Sequence, residues 1–295
     1  MLTRVAAVQP RSFRHAEEPR NLEFALRYID EAAAAGAKLI TFPEGYPGPY
    51  NHTADWSPFE AISQKARQHG VYVIYGTVDR AEDEPEGTYR LALKFVGPDG
   101  SLIDTYYRVQ PNPPEVDHVL MGNKFIAPGD RMVIHDTPIG RIGLLICSEV
   151  YCPELPRLLA LQGVEILVAP VGGLVYELHE TFRCVQWARA IENLCYLVTS
   201  QHMYGMEDGF GMIAGPEAIL ADRRDAGLIV ADLDLDRIHW LRGQRQSLAL
   251  PKPYKVVPGL LRYRRPELYS AIAEPRPNLY DFYYYRQFHR EKIAD

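Results

Sequence analysis

Gly140-Arg141-Ile142-Gly143-Leu144-Leu145-Ile146-Cys147-Ser148-Glu149 frames the reading of the whole chain. From Ile142 to Ile146 it is almost uninterrupted apolar, which predicts a buried strand. Pro153 then opens a helix carrying Leu155, Leu158, Leu159 and Leu161, and Gly163 closes it. A second apolar strand, 165–169, stops at Pro170. Strands and helices in alternation argue an α/β fold rather than segregated α+β.

The alternation continues in both directions. Val5 to Val8 reads as a buried strand, followed by a helix with Leu22, Leu26, Ile29 and Ala33 on one face and Gly36 as its stop. Residues 38–42 form a strand that ends at Pro43, and Gly45 to Asn51 make a rigid loop. A helix over 58–69 leads to a strand over 71–76. Strands 89–96 and 101–107 flank the turn Gly97-Pro98-Asp99-Gly100. Pro111 to Pro128 is a long irregular loop, a kind that is usually functional or disordered. A helix over 177–193 and strands over 195–200, 211–214 and 228–233 follow. No repeat or linker divides the chain, so residues 1–270 are expected to form one domain. From about Leu260 the chain turns irregular, and 271–295 is an aromatic tail. So many rings predict packing, either on a second subunit or on its own domain.

Composition removes several classes of function. Lys and Arg number 32 against 38 Asp and Glu, with no block of five like charges, so neither nucleic acid nor an anionic membrane is expected as the main partner. No run of 18 apolar residues predicts a membrane span. The start MLTRVAAVQP turns polar too soon for a signal peptide. Four cysteines in 295 residues suit a reducing, cytoplasmic setting. Cys184 and Cys195, eleven apart, are nearly in phase on a helix and predict a shared core face. Cys147 and Cys152 have no histidine pair nearby, so no metal site is expected. Gly209 to Gly215 has three residues between its last two glycines and no amphipathic helix after it, which rejects a dinucleotide fingerprint. No organic cofactor is expected either.

Four residues carry candidate chemistry. Cys147 follows a buried strand and precedes a helix, at the sheet edge where α/β proteins place reactive groups. It reads as a nucleophile if a base or cation activates it, or as a small buried hydrophobe. Glu44 follows a strand and a proline. Partial desolvation there would raise its pKa and suit it to general base work; the alternative is a solvated loop glutamate. Arg108 closes strand 101–107 and offers a fixed cation for an oxyanion, or is a surface arginine. Glu115 is a second carboxylate, or a solvated loop charge.

Three strand-end segments together resemble the nitrilase, or carbon–nitrogen hydrolase, superfamily. Thr41-Phe42-Pro43-Glu44 is similar to its glutamate motif, and residues 140–149 to its cysteine motif. Pro153-Glu154-Leu155-Pro156-Arg157, Ala169-Pro170, Arg189-Ala190 and Arg264-Arg265-Pro266-Glu267-Leu268-Tyr269 follow the same pattern in order, as does Val5-Ala6-Ala7-Val8-Gln9. Any single motif is weak, but the ordered set over about residues 1–270 is strong. The family's third catalytic residue is a lysine, three residues before a frequent proline. Counting back from Pro111 reaches Arg108; the next register would put Val109 there. The expected lysine is missing in either register.

The resemblance implies an α-β-β-α sandwich, paired into a homodimer or higher homo-oligomer. It implies a triad that here reads Glu44, Arg108 and Cys147, with Glu115 orienting a partner or the substrate. The substrate is then a small molecule with an amide, N-carbamoyl or nitrile bond. Ser148, where true nitrilases often carry tryptophan, favours amide or N-carbamoyl bonds. Tyr50, Ser148 and Gly172 are expected to border the substrate; Tyr50 reads equally as a structural ring. The competing class is a non-catalytic binding protein of this fold, which the missing lysine favours.

Overall fold

A computed structural model describes residues 1–50, 56–113, 116–117, 124–172, 179–204, 209–243 and 264–274. Glu115 and tail residues 275–295 lie outside the described residues.

Thirteen strands form two sheets among the described residues. The first sheet contains β1 (Leu2–Gln9), β2 (Leu39–Thr41), β3 (Tyr72–Arg80), β4 (Thr88–Val96), β5 (Leu102–Tyr107), the short β6 (Phe125–Ile126) and β13 (Gly227–Asp234). Its order is β13-β1-β2-β3-β4-β5, with β6 beside β4. The second contains β7 (Ile134–Thr137), β8 (Gly140–Leu144), β9 (Ile166–Val168), β10 (Tyr196–Thr199), β11 (Gly211–Ala214) and β12 (Ile219–Arg223), in the order β12-β11-β10-β9-β8-β7. Each sheet has a parallel centre, β1-β2-β3 in one and β8-β9-β10 in the other, with antiparallel strands outside.

Side-chain alternation sets the layers. Along the first sheet, Val5, Ala7, Leu39 and Ile74 point at the second sheet. Their neighbours Ala6, Val8, Ile40 and Val73 point the other way, onto helices. Those helices are α1 (Asn21–Ala34) and α2 (Phe59–His69). Helix α1 offers Ala25, Ile29 and Ala32 at spacings of four and three; α2 offers Ile62 and Ala66. Beyond the second sheet lie α3 (Glu154–Leu161) and α4 (His179–Asn193), whose Leu159, Phe182 and Ala190 join the same buried cluster as the strands of that sheet. The result is the expected α-β-β-α order. Helix α5 (Leu235–Gly243) and the short α6 (Ser270–Ala273) complete the described helices.

Two expectations change. Strand β3 runs on to Arg80, because Thr77, Val78 and Asp79 still pair with β4. Cys184 and Cys195 do not share a face: Cys184 is exposed and Cys195 buried. Helix α4 ends at Asn193, and Leu194 adopts φ +49°, so the helical phase stops before Cys195 is reached. Strands β7 and β12 and helix α5 lack a long apolar run and had no counterpart in the sequence reading. Among the described residues, no helix is long and apolar enough to cross a membrane.

Ile74 is fully buried between the sheets. Replacing it with alanine leaves a cavity beside Leu39 and is expected to lower stability by about 3 kcal/mol, read as a fall in the denaturation midpoint.

Candidate active site

The carboxyl ends of strands from both sheets converge on one spot. Glu44 lies just beyond β2, Arg108 directly after β5, Cys147 beyond β8, Gly172 beyond β9 and His202 beyond β10. Seams between the sheets tie these ends together: Thr41 and Ser200 share a hydroxyl contact of 2.6 Å, and the Ser200 hydroxyl donates to the Thr41 carbonyl at 2.9 Å.

Cys147 opens a single turn of 3₁₀ helix, Cys147–Tyr151, with φ +51°. That left-handed conformation costs a non-glycine residue about 1–2 kcal/mol. It turns the chain sharply from strand into helix, and the Cys147 N–H donates to the Pro170 carbonyl at 2.8 Å. Glu44 lies beside the Cys147 thiol and the Gly172 backbone, both of which favour its ionised form against burial. On its other side stands Arg108, whose Nη1 is 3.5 Å from Glu44 Oε1. Cys147 is 9% exposed, Glu44 4% and Arg108 1%, so the thiol is the most accessible of the three.

Burial decides the protonation states. It pushes the Glu44 carboxyl up, and Arg108 opposes without cancelling the effect. It also pushes the Cys147 thiol up, and the neighbouring Glu44 charge adds to this. Of the two the thiol is the weaker acid, so a single negative charge on the pair sits on Glu44 rather than on sulfur, facing the guanidinium. Burial alone would pull Arg108 down, but Asp117, Glu44, Cys147 and Glu149 together hold it above its ordinary value. The cation is permanent.

Four fixed directions hold the guanidinium. Its Nε donates to the Gln110 carbonyl at 3.1 Å, and Nη2 donates to Asn112 Oδ1 at 3.0 Å and to Ser148 Oγ. The remaining nitrogen, Nη1, faces Glu44. The register counted from Pro111 thus puts Arg108 in place, while Val109 supplies a backbone N–H and packs its side chain on the core. Tyr50 and Gly172 meet Glu44 from another side: a Cβ on Gly172 would lie 2.8 Å from Glu44 Oε2 and 3.2 Å from Tyr50 Oη. A side chain there would have to displace the Glu44 carboxylate.

Three comparisons with known proteins bear on this geometry. The sequence profile described as carbon–nitrogen hydrolase matches residues 4–242. The chain belongs to the carbon–nitrogen hydrolase family. It is thus an enzyme of the amidase-like class that acts on C–N bonds other than peptide bonds. This hydrolase is 30% identical over 252 residues to a deaminated glutathione amidase from Synechocystis, covering 77% of this chain and 91% of that one. It is 27% identical over 268 residues to an omega-amidase from Xenopus tropicalis, covering 85% and 91%. Among solved structures it resembles an amidase from Nesterenkonia sp. AN1 at a TM-score of 0.72 and 21% identity, covering 91% and 96%. In that mutant structure, the acetamide moiety of fluoroacetamide is covalently added at the active-site cysteine.

Sequence reasoning missed three parts of this hydrolase's site. Glu149 is fully buried and accepts from the N–H groups of Ile146, Val109 and Gln110 and from the Tyr106 hydroxyl, all between 2.7 and 2.9 Å. It thereby pins the end of β5 to the turn after β8, one sheet to the other. His202 donates from Nε2 to the Glu44 carbonyl at 2.6 Å, while its Nδ1 meets Ser12 Oγ at 2.7 Å. Burial pulls its pKa down to about 3, so it is neutral and holds Glu44 by one tautomer. Asn112 and Asp117 form the third part. Glu149 stood in the cysteine motif, but nothing local marked His202 or Asp117. Among the described residues no cluster of three metal-ligating side chains occurs. A separate concavity of about 880 Å³, lined by Asp79, Arg90, Lys94 and Tyr107 among others, contains none of Glu44, Arg108 and Cys147.

Two substitutions test the architecture. Gly172→Ala is expected to lower turnover at least a hundredfold while the folded state persists, because its Cβ would displace the Glu44 carboxylate; steady-state kinetics with circular dichroism checks this. Glu149→Gln sets an NH₂ against two donors. It is expected to cost about 3 kcal/mol of stability, read by denaturant titration.

Proposed function

We propose that the chain is an amidase that works through a thioester on Cys147, with Glu44 moving the protons. The observation that carries this reading is the placement of one buried carboxylate between a thiol and a fixed guanidinium. On attack, Glu44 takes the thiol proton and the sulfur bonds to the carbonyl carbon of an amide or N-carbamoyl group. The developing oxyanion is held by Arg108 and by the backbone N–H of Ser148. The C–N bond breaks, and the amine or ammonia leaves with the proton from Glu44. Glu44 then takes a proton from water, whose oxygen attacks the thioester and releases the carboxylic acid and the thiol.

The permanent charge of Arg108 excludes it as a base, so Glu44 alone carries proton transfer. Ser148 supports an amide or N-carbamoyl substrate over a nitrile: its hydroxyl is tied into the Arg108–Asn112 network, leaving a small polar group beside the nucleophile. The named amidase relatives agree with that choice. Tyr50 and Gly172 stand close to where the leaving group departs, against Glu44.

The test is ammonia release from a panel of small amides, N-carbamoyl compounds and nitriles, with Cys147→Ala as the blank. Fluoroacetamide followed by intact-protein mass should show a covalent adduct that Cys147→Ala loses. No turnover and no adduct would leave a non-catalytic binding protein as the better reading. Arg108→Lys is expected to lower kcat about a hundredfold, although the resemblance places lysine there, because one ammonium cannot serve four directions. Turnover should also fall on the acid side, as pH drops through the raised Glu44 ionisation and removes the base. It should show no second rise from thiol ionisation near the free-cysteine value.

A further inference from the structure

Asn112 has two chemically different ends, and the structure puts each to use. Its Oδ1 accepts from Arg108 Nη2 at 3.0 Å and from the Ser148 hydroxyl at 2.8 Å. Its Nδ2 donates to Asp117 Oδ1 at 2.7 Å, and its backbone N–H donates to Asp117 Oδ2 at 3.1 Å. An ionised carboxylate only accepts, so it admits the Nδ2 end and rejects the Oδ1 end. The amide is thereby set in one of its two orientations, with the oxygen toward Arg108. Asp117 is 2% exposed, at a helical position whose N–H donates to the Pro113 carbonyl at 3.2 Å.

We infer that Asp117 is a positioning residue for the hydrolysis, acting through Asn112 to fix which nitrogen of Arg108 faces the reacting carbon. The inference rests on the amidase reading above. Arg108 carries three anchored contacts on Nε and Nη2, and these leave Nη1 directed at Glu44. A guanidinium free to turn about its side chain would spread its donors over several directions. Oxyanion stabilisation requires one donor at one place, since a misplacement of about 1 Å costs on the order of a hundredfold in rate. The negative charge of Asp117 also compensates the buried cation. The resemblance gives an orienting role to Glu115. Asp117, two residues on, is a carboxylate joined to Arg108 through Asn112.

The experiment compares wild type, Asp117→Asn and the exchanged pair Asn112→Asp with Asp117→Asn, all as full chains on one amide that the wild type turns over. Asp117→Asn keeps the shape but can donate as well as accept, so Asn112 is no longer held one way. Its kcat is expected to fall about thirtyfold with KM changed less than threefold. In the exchanged pair, a carboxylate at 112 accepts from Arg108, Ser148 and the new asparagine at 117, and kcat should return to within about fivefold of wild type. A merely structural role would not give that return. Asp117→Asn with kcat within twofold of wild type, or an exchanged pair that folds and stays as slow as the single variant, overturns the inference. Should Asp117→Asn not fold, the exchanged pair alone decides by its kcat. The Arg108 guanidinium resonances in nitrogen NMR give a readout apart from activity: separate, slowly exchanging Nη signals in wild type, averaged in Asp117→Asn. Wild type without turnover would sink the amidase reading; averaged signals in wild type would sink the positioning role by itself.

Discussion

A guanidinium with 1% of its surface exposed is the constraint on which the rest depends. Taking such a cation out of water costs several kcal/mol unless anions and acceptors surround it. Arg108 is met by Glu44 directly, by Asp117 through Asn112, and by the nearby charge of Glu149. These groups come from the end of β2, the loop after β5 and the turn after β8. Satisfying one cation therefore fixes three chain segments from two sheets against one another. Apolar packing between the sheets sets their spacing, since hydrophobic burial is non-directional. The hydrogen bonds around Arg108 and Glu149 set which residues meet.

The same constraint bears on the protonation of the thiol and carboxyl pair. With Arg108 the one cation beside them among the described residues, Glu44 and Cys147 cannot both hold a negative charge at low cost. The thiol, the weaker acid, is the one that stays protonated. Neutral His202 contributes position without charge, clamping the Glu44 carbonyl from behind. Glu44 is thus held at its backbone by one element and at its carboxylate by three others. A side chain so confined has little conformational freedom left to lose.

Much of this was legible because the chain marks the ends of its central strands. Apolar runs that stop at Pro43 and Pro170 placed the β2 and β9 edges. Cys147 was found at the end of the Ile142–Ile146 run, and Arg108 by counting back from Pro111. What stayed hidden has physical reasons. Strands β7 and β12 are outer strands with polar alternation, so they lack the apolar run that betrays a central strand. His202 acts on a carbonyl 158 residues away, and only the fold joins them. Asp117 sits in a proline-rich loop where every carboxylate looks solvated. The helical phase of Cys184 and Cys195 misled because a left-handed residue, Leu194, breaks the helix between them.

Arginine in place of the resembled lysine changes how the work is divided. An ammonium is a point charge on a flexible stem, and burial can bring its pKa down toward neutrality. It can then hold a charge and also pass a proton. A guanidinium is planar and stays protonated, so it holds charge only. That loss is matched by a gain in direction: five N–H donors in a plane can be anchored on one side and aimed on the other. Here Gln110, Asn112 and Ser148 do the anchoring, and Nη1 does the aiming. Such an arrangement is stiff only if its anchors are themselves fixed. Ser148 belongs to the same turn as Cys147, and Asn112 is tied to Asp117. The position of the charge is thereby coupled to the position of the thiol, so a shift in either displaces the other.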